Sequence, residues 1–95
     1  MSKYDVAHIQ RQGIDLIIIP LESAFDYKSP SEQNEVVNGL QYYAGSAGLR
    51  GTVVPVWQSG GRMKFIAPPN WHPFFRSLNW SFVRANINRE LSIPD

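Results

Sequence analysis

The chain has 95 residues, of which 43% are hydrophobic and 18% are charged, and its formal net charge is +1. This composition is too apolar for a disordered chain, and the length leaves room for one core, so we expect one folded domain over residues 1–95. The absence of cysteine excludes disulfides, thiolate metal sites and a cysteine nucleophile. The run from Leu16 to Leu21 is too short to cross a bilayer, and no signal peptide is recognisable. We therefore expect a cytoplasmic location and no membrane association.

The charges are distributed unevenly along the chain. Residues 1–48 hold three basic and six acidic side chains, whereas residues 49–95 hold six basic and two acidic ones. A polar molecule of this kind could attract another copy of itself or present a basic face to an anionic partner. Alternatively, the two halves interleave in the folded domain and the asymmetry disappears from the surface.

The first residues fit a short helix that Ser2 would cap and Gly13 would end. Val6 and Ile9 would share its inner face. An alternating strand over residues 4–9 is the competing interpretation. The segment from Ile14 to Leu21 is short, β-branched and closed by Pro20, which predicts a strand that is covered on both faces.

A capping box with proline at the first helical position, Ser29-Pro30-Ser31-Glu32, predicts the start of a long helix. Apolar residues then recur at helical spacing: Val36, Leu40, Tyr43 and Ala47. Gly45 and Gly48 mark its end. The same glycines with Gly51 give the pattern G-x-x-G-x-x-G, but it follows a helix and precedes a strand, the reverse of a phosphate-binding loop.

Two strands, Thr52 to Trp57 and Arg62 to Ala67, are joined by a glycine-containing turn and should pair antiparallel. Pro55 cannot donate to a ladder, which favours an edge position or a bulge for its strand. After Pro68-Pro69, Asn70 can cap a last helix. Its apolar stripe runs through Phe75, Leu78, Phe82, Val83, Ile87 and Leu91, with a kink or break near residues 77–79.

These elements predict a small α/β (α+β) domain with the order α-β-α-β-β-α and a three-stranded mixed sheet. The first two strands should be parallel and the third antiparallel to the second. So small a sheet leaves aromatic residues uncovered, which suggests an interface. The candidate interface residues are Tyr42, Trp71, Phe74 and Trp80, and the expected assembly is a homo-dimer or higher homo-oligomer.

Ligands of open α/β sheets bind beyond the carboxyl ends of parallel strands, where this chain has polar loops. The candidate ligand-binding residues are Glu22, Ser23, Asp26, Lys28 and Trp57. Asp5 and His8 would lie one helical turn apart, but two ligands do not make a metal site, so we predict no metal. We also predict no cofactor and no catalytic residue. A basic surface beside Trp57 is the alternative, nucleic-acid-binding candidate, formed by Arg62, Lys64, Arg76, Arg84 and Arg89.

The first functional hypothesis is a non-catalytic protein that acts through self-association or protein–protein interaction. A nucleic-acid-binding module is the second hypothesis. A small-molecule binder or enzyme at the strand-end loops is the third.

Overall fold

Five strands form one mixed sheet in the computed structural model of the chain, which describes residues 2–94. The strands are β1 (Ser2–Arg11), β2 (Ile14–Pro20), β3 (Thr52–Ser59), β4 (Arg62–Phe65) and β5 (Arg89–Ile93), in the order β4-β3-β2-β1-β5. Only β2 and β3 are parallel; the other neighbours are antiparallel. The helices are α1 (Pro30–Ser46), α2 (His72–Arg76) and α3 (Trp80–Ala85), with 3₁₀ turns at Ser23–Tyr27 and Pro69–Trp71.

The first segment is a strand, so the predicted N-terminal helix is wrong and the competing strand interpretation is confirmed. Gly13 does not end a helix; with Gln12 it forms the two-residue turn between β1 and β2. The φ angles are 52° at Gln12 and 76° at Gly13, the signs that a type I′ hairpin turn requires. β1 lies between β2 and β5 in the sheet, and its successive residues Val6 and Ala7 are both fully buried, one on each face.

The predicted strand β2 and the long helix α1 are confirmed. Four consecutive residues, Leu16 to Ile19, have no exposed surface, as expected of a strand covered on both faces. Ser29 and Glu32 form the reciprocal capping box at the start of α1. Among residues 2–94, no helix combines the length and the hydropathy needed to cross a bilayer.

The hairpin of β3 and β4 also forms as predicted, with β3 parallel to β2. However, β3 lies between β2 and β4, so the edge position expected from Pro55 is wrong. The Pro55 carbonyl oxygen accepts from the N–H of Ile66, the first residue after β4, at 3.2 Å. Proline has no N–H to donate to a neighbouring strand. β3 tolerates Pro55 because β4 has already ended at this point, so no donor is needed there.

The C-terminal segment is not one helix. The predicted break near residues 77–79 is present, but the second part ends at Ala85, and β5 replaces its expected continuation through Leu91. Asn88 connects this segment to β1, because its side chain accepts from the His8 N–H at 2.8 Å and donates to the His8 carbonyl at 2.9 Å. Together, β1 and β5 correct the predicted sheet from three strands to five.

The larger sheet has a core on each face. Helix α1 covers one face, where Ile17, Ile19 and Leu40 are buried together. Helices α2 and α3 cover the other, where Phe75 and Val83 pack on Leu16. Two covered faces bury more aromatic surface than the predicted sheet allowed.

Candidate functional site

The carboxylate of Asp26 is bound by three donors at the carboxyl ends of β2 and β3. Its Oδ1 accepts from Trp57 Nε1 at 3.0 Å and from Lys64 Nζ at 3.0 Å, and its Oδ2 accepts from the Ser59 hydroxyl at 2.9 Å. Asp26 lies in the 3₁₀ turn after β2, Trp57 and Ser59 end β3, and Lys64 belongs to β4. The structure therefore brings together two of the strand-end candidates, Asp26 and Trp57, and adds Ser59 and Lys64 to them.

These contacts stabilise the ionised form of Asp26. The hydrogen bond from Trp57, followed by those from Lys64 and Ser59, lowers the pKa of Asp26 from 3.8 to about 2. A carboxylate with so low a pKa is a poor general base near neutral pH. Trp57 is only 4% exposed and its ring centroid lies 4.7 Å from that of Phe25, so its ring is covered by the protein. The cluster holds the loop against the sheet.

Replacing Asp26 with asparagine tests this structural role through its pH dependence. Because the folded-state pKa is below its ordinary value of 3.8, the stabilisation is present above that pH and is lost as the pH falls through about 2. We expect Asp26→Asn to lower the midpoint of thermal unfolding at pH 7, and the difference from the wild type to shrink as the pH approaches 2.

Circular dichroism melts across this pH range measure the effect. Lys64→Gln is the comparison, because it leaves the Trp57 and Ser59 hydrogen bonds and should retain part of the pH dependence. A difference between Asp26→Asn and the wild type that does not change with pH would contradict the assignment.

The remaining strand-end candidates do not share one cavity with Asp26. Ser23 and Asp26 line a small cavity of about 280 Å³ with Gly60 of the hairpin turn. Glu22 and Lys28 line a separate, open groove of about 800 Å³, whose lining is partly apolar and includes Leu21 and Phe25. The sequence placed all of these residues in neighbouring loops and could not show that the 3₁₀ turn separates them.

Asp5 and His8 do not share a helix face, because both lie on β1 at positions that point to opposite sides of the sheet. His8 Nε2 is 2.7 Å from the Arg50 carbonyl oxygen, and Asp5 Oδ2 accepts from Arg84 at 3.1 Å. No group of three potential metal ligands is found in the part of the chain that the structure describes.

The five basic residues of the nucleic-acid candidate are divided among different surfaces. Lys64 is paired with Asp26 and Arg84 with Asp5, each at about 3 Å between nitrogen and oxygen. Arg89 is on β5, at the opposite edge of the sheet from β4. Only Arg62 and Arg76 line the same cavity. The described chain therefore does not present these residues as one continuous basic track.

Arg62 and Arg76 line a cleft of about 590 Å³ between the edge strand β4 and the α2–α3 segment, which we call the β4 cleft. Other residues that line it are Gln58, Met63, Phe65, Leu78, Trp80 and Ser81. None of the lining residues is acidic. Within residues 2–94, neither arginine side chain takes part in an ion pair or a hydrogen bond. The cleft thus combines aromatic and apolar surface with two uncompensated positive charges.

The β4 cleft was missed in the sequence because it depends on how α2 and α3 fold back beside β4. The alternation in β4 was the available signal: Met63 and Phe65 were expected on one face, and both line the cleft. The position of Arg76 opposite them depends on the short α2 and the break after it, which the periodicity located only approximately.

The four candidate interface aromatics lie on opposite sides of the sheet. Tyr42 is on α1 and is 68% exposed. Trp71, Phe74 and Trp80 pack, half-buried, against the core under α2 and α3. Arg11 lies over the Phe74 ring, 5.6 Å from its centroid. Of these four residues, Trp80 alone lines the β4 cleft.

Comparison of the chain with models of known protein families, with curated protein sequences and with solved structures found no match.

Proposed function

We propose that this domain is a non-catalytic interaction protein that binds a partner protein in the β4 cleft. The observation that carries the proposal is the composition of that cleft: Trp80 and Phe65 offer apolar contact area, and Arg62 and Arg76 offer unpaired charge. Aromatic residues and arginine are the residue types enriched in the energetically dominant parts of protein interfaces.

The state of the strand-end carboxylate supports a binding role over a catalytic one. All three donors around Asp26 come from the protein itself, and they keep its carboxylate ionised. Self-association stays a prediction from the sequence. Its main argument was that a small sheet leaves aromatic residues uncovered, and this argument is weaker for a sheet with two covered faces. The β4 cleft therefore favours a partner of different sequence.

Selection from an unbiased library of displayed peptides tests the proposal. Ser81→Trp places a large side chain in the β4 cleft, and Gln58→Trp does so from β3. Ser46→Trp, at the end of α1 and outside the cleft lining, is the matched control. We expect enriched peptides to bind the wild type and Ser46→Trp equally, and to lose at least about tenfold in affinity for either cleft variant.

Circular dichroism first establishes that each variant has the wild-type fold. The proposal is wrong if no peptide is enriched above the empty support, or if the enriched peptides bind folded Ser81→Trp and Gln58→Trp as well as they bind the wild type.

A further inference from the structure

We infer that the occupant of the β4 cleft is an extended, acidic segment of the partner protein, which adds to β4 as a sixth strand. This inference rests on the proposed function. Peptides bind open sheet edges in this way through main-chain hydrogen bonds, while neighbouring pockets select side chains. Both parts of such a site are present, because β4 is an edge strand and the cleft lies beside it.

The hydrogen-bonding pattern shows which β4 backbone groups are available. The Val56 carbonyl faces β2, since it accepts from the Leu21 N–H at 2.8 Å, whereas the Pro55 carbonyl accepts from Ile66 on the β4 side. Alternation along the antiparallel pair then directs the backbone of Arg62 and Lys64 toward β3. The N–H and C=O groups of Met63 and Phe65 point to the open edge, where an added strand would pair.

The side chains of these same two residues line the cleft. Residues that lie opposite each other in a β pair project from the same face, so the partner residues beside Met63 and Phe65 would project toward Leu78 and Trp80. The site therefore fits apolar side chains at alternate positions of the added segment.

The positive charge of the protein indicates which residues occupy the other positions of the added segment. Carboxylates that alternate with the apolar residues would project from the opposite face of the sheet, which is the face of Arg62. Arg76 lies on the cleft side, where no lining residue is acidic, and adds to the positive potential around the segment. Charge also argues against a second copy paired through β4, because Arg62 and Lys64 of both copies would be brought together. An acidic segment of a different protein satisfies both conditions.

Synthetic peptides test the inference directly. The probe is a fluorescein-labelled seven-residue peptide of alternating valine and glutamate, titrated by fluorescence anisotropy at low and at physiological salt. One control replaces glutamate with glutamine, and a second carries N-methyl groups on the amides that would pair with β4. We expect each control to bind at least about tenfold more weakly, because one removes the charge and the other the edge hydrogen bonds.

Protein variants test the contribution of the β4 edge and that of the arginine charges to peptide binding. Met63→Pro removes one donor at the open edge together with a side chain that lines the cleft, and it leaves the pairing of β4 with β3. It should therefore weaken binding of the acidic peptide strongly. The double variant Arg62→Gln, Arg76→Gln should lose at least about tenfold in affinity. Arg50→Gln, which removes a charge from an exposed residue outside the cleft lining, should stay within about twofold of the wild type.

Four results would overturn the inference. If the glutamine peptide binds as tightly as the glutamate peptide, and Ser81→Trp abolishes both, the proposed function stands and the acidic partner is wrong. If an oligothymidylate binds and the peptides do not, the cleft serves nucleic acid. If sedimentation velocity shows a dimer that the arginine double variant dissociates, a second copy is the occupant. If neither synthetic peptide binds, the acidic added strand is wrong, and the proposed function fails with it only if the displayed library also yields no binder.

Discussion

Replacing Phe75 with alanine is expected to destabilise the domain by about 3–5 kcal/mol. Phe75 is 1% exposed and lies in the core under α2 and α3, with its ring centroid 5.5 Å from that of Phe65. Helix α2 has five residues and cannot be stable without this contact, so the cavity would also loosen its attachment to the sheet. Small domains have about 5–15 kcal/mol of total stability, and the variant would retain little of it.

Urea unfolding followed by circular dichroism measures the loss. Phe75→Leu keeps most of the apolar volume and should cost much less, which keeps the test usable if the alanine variant does not fold. Phe74→Ala is the matched control in the same helix: its side chain is half-buried, so we expect a loss of about 1–2 kcal/mol. Equal losses at the two positions would contradict the assignment of Phe75 to the core.

The elements that the sequence predicted well are those whose signals are local. The capping box at Ser29 and Glu32 needs only four residues to define a helix start, and both of its hydrogen bonds form. The β-branched run before Pro20 has no competing helical interpretation. The Gly60-Gly61 turn fixes the hairpin because its ends, Ser59 and Arg62, are paired across it.

The first segment was misread because one glycine is compatible with two structures. Gly13 can end a helix or occupy a type I′ turn, and the choice depends on whether Gln12 also adopts a positive φ. What stabilises the strand is not local: β1 pairs with β2 on one side and with β5, about 80 residues later in the chain, on the other.

The C-terminal strand was misread for a related reason. Leu91 continued the helical stripe of Phe82, Val83 and Ile87, but it also alternates with polar neighbours up to Ile93, which is a strand pattern. Asn86 and Asn88 separate the two patterns and were the available warning. Pairing with β1 decides between them, since the backbone of residues 89–93 finds its partners only there.

The two charged halves of the sequence pair with each other in the fold. Each ion pair in the described part of the chain joins an acidic residue of one half to a basic residue of the other: Lys3–Glu90, Lys64–Asp26 and Arg84–Asp5. The halves therefore interleave, as the alternative interpretation expected. Arg62 and Arg76 take part in none of these pairs, and both line the β4 cleft.

Replacing Gly51 with alanine is expected to destabilise the domain by about 3 kcal/mol or more. Gly51 has a φ of 123°, which L-residues rarely adopt, and a Cβ there would overlap the backbone carbonyl of Asp15 at the start of the parallel β2–β3 pair. The overlap involves backbone on both sides, so no side-chain rotation relieves it.

The same substitution would also disturb how α1 is joined to β3. The Gln41 side chain donates to the Gly51 carbonyl at 3.0 Å and accepts from the Val53 N–H at 2.8 Å, at the end of β3 that β4 does not reach. Gly39→Ala is the matched control, because a Cβ at that position in α1 meets no atom within 4 Å and should stabilise the helix by about 1 kcal/mol. Urea unfolding of the two variants should therefore shift in opposite directions. A Gly51→Ala variant as stable as the wild type would mean that the Gly51 backbone does not approach Asp15 this closely.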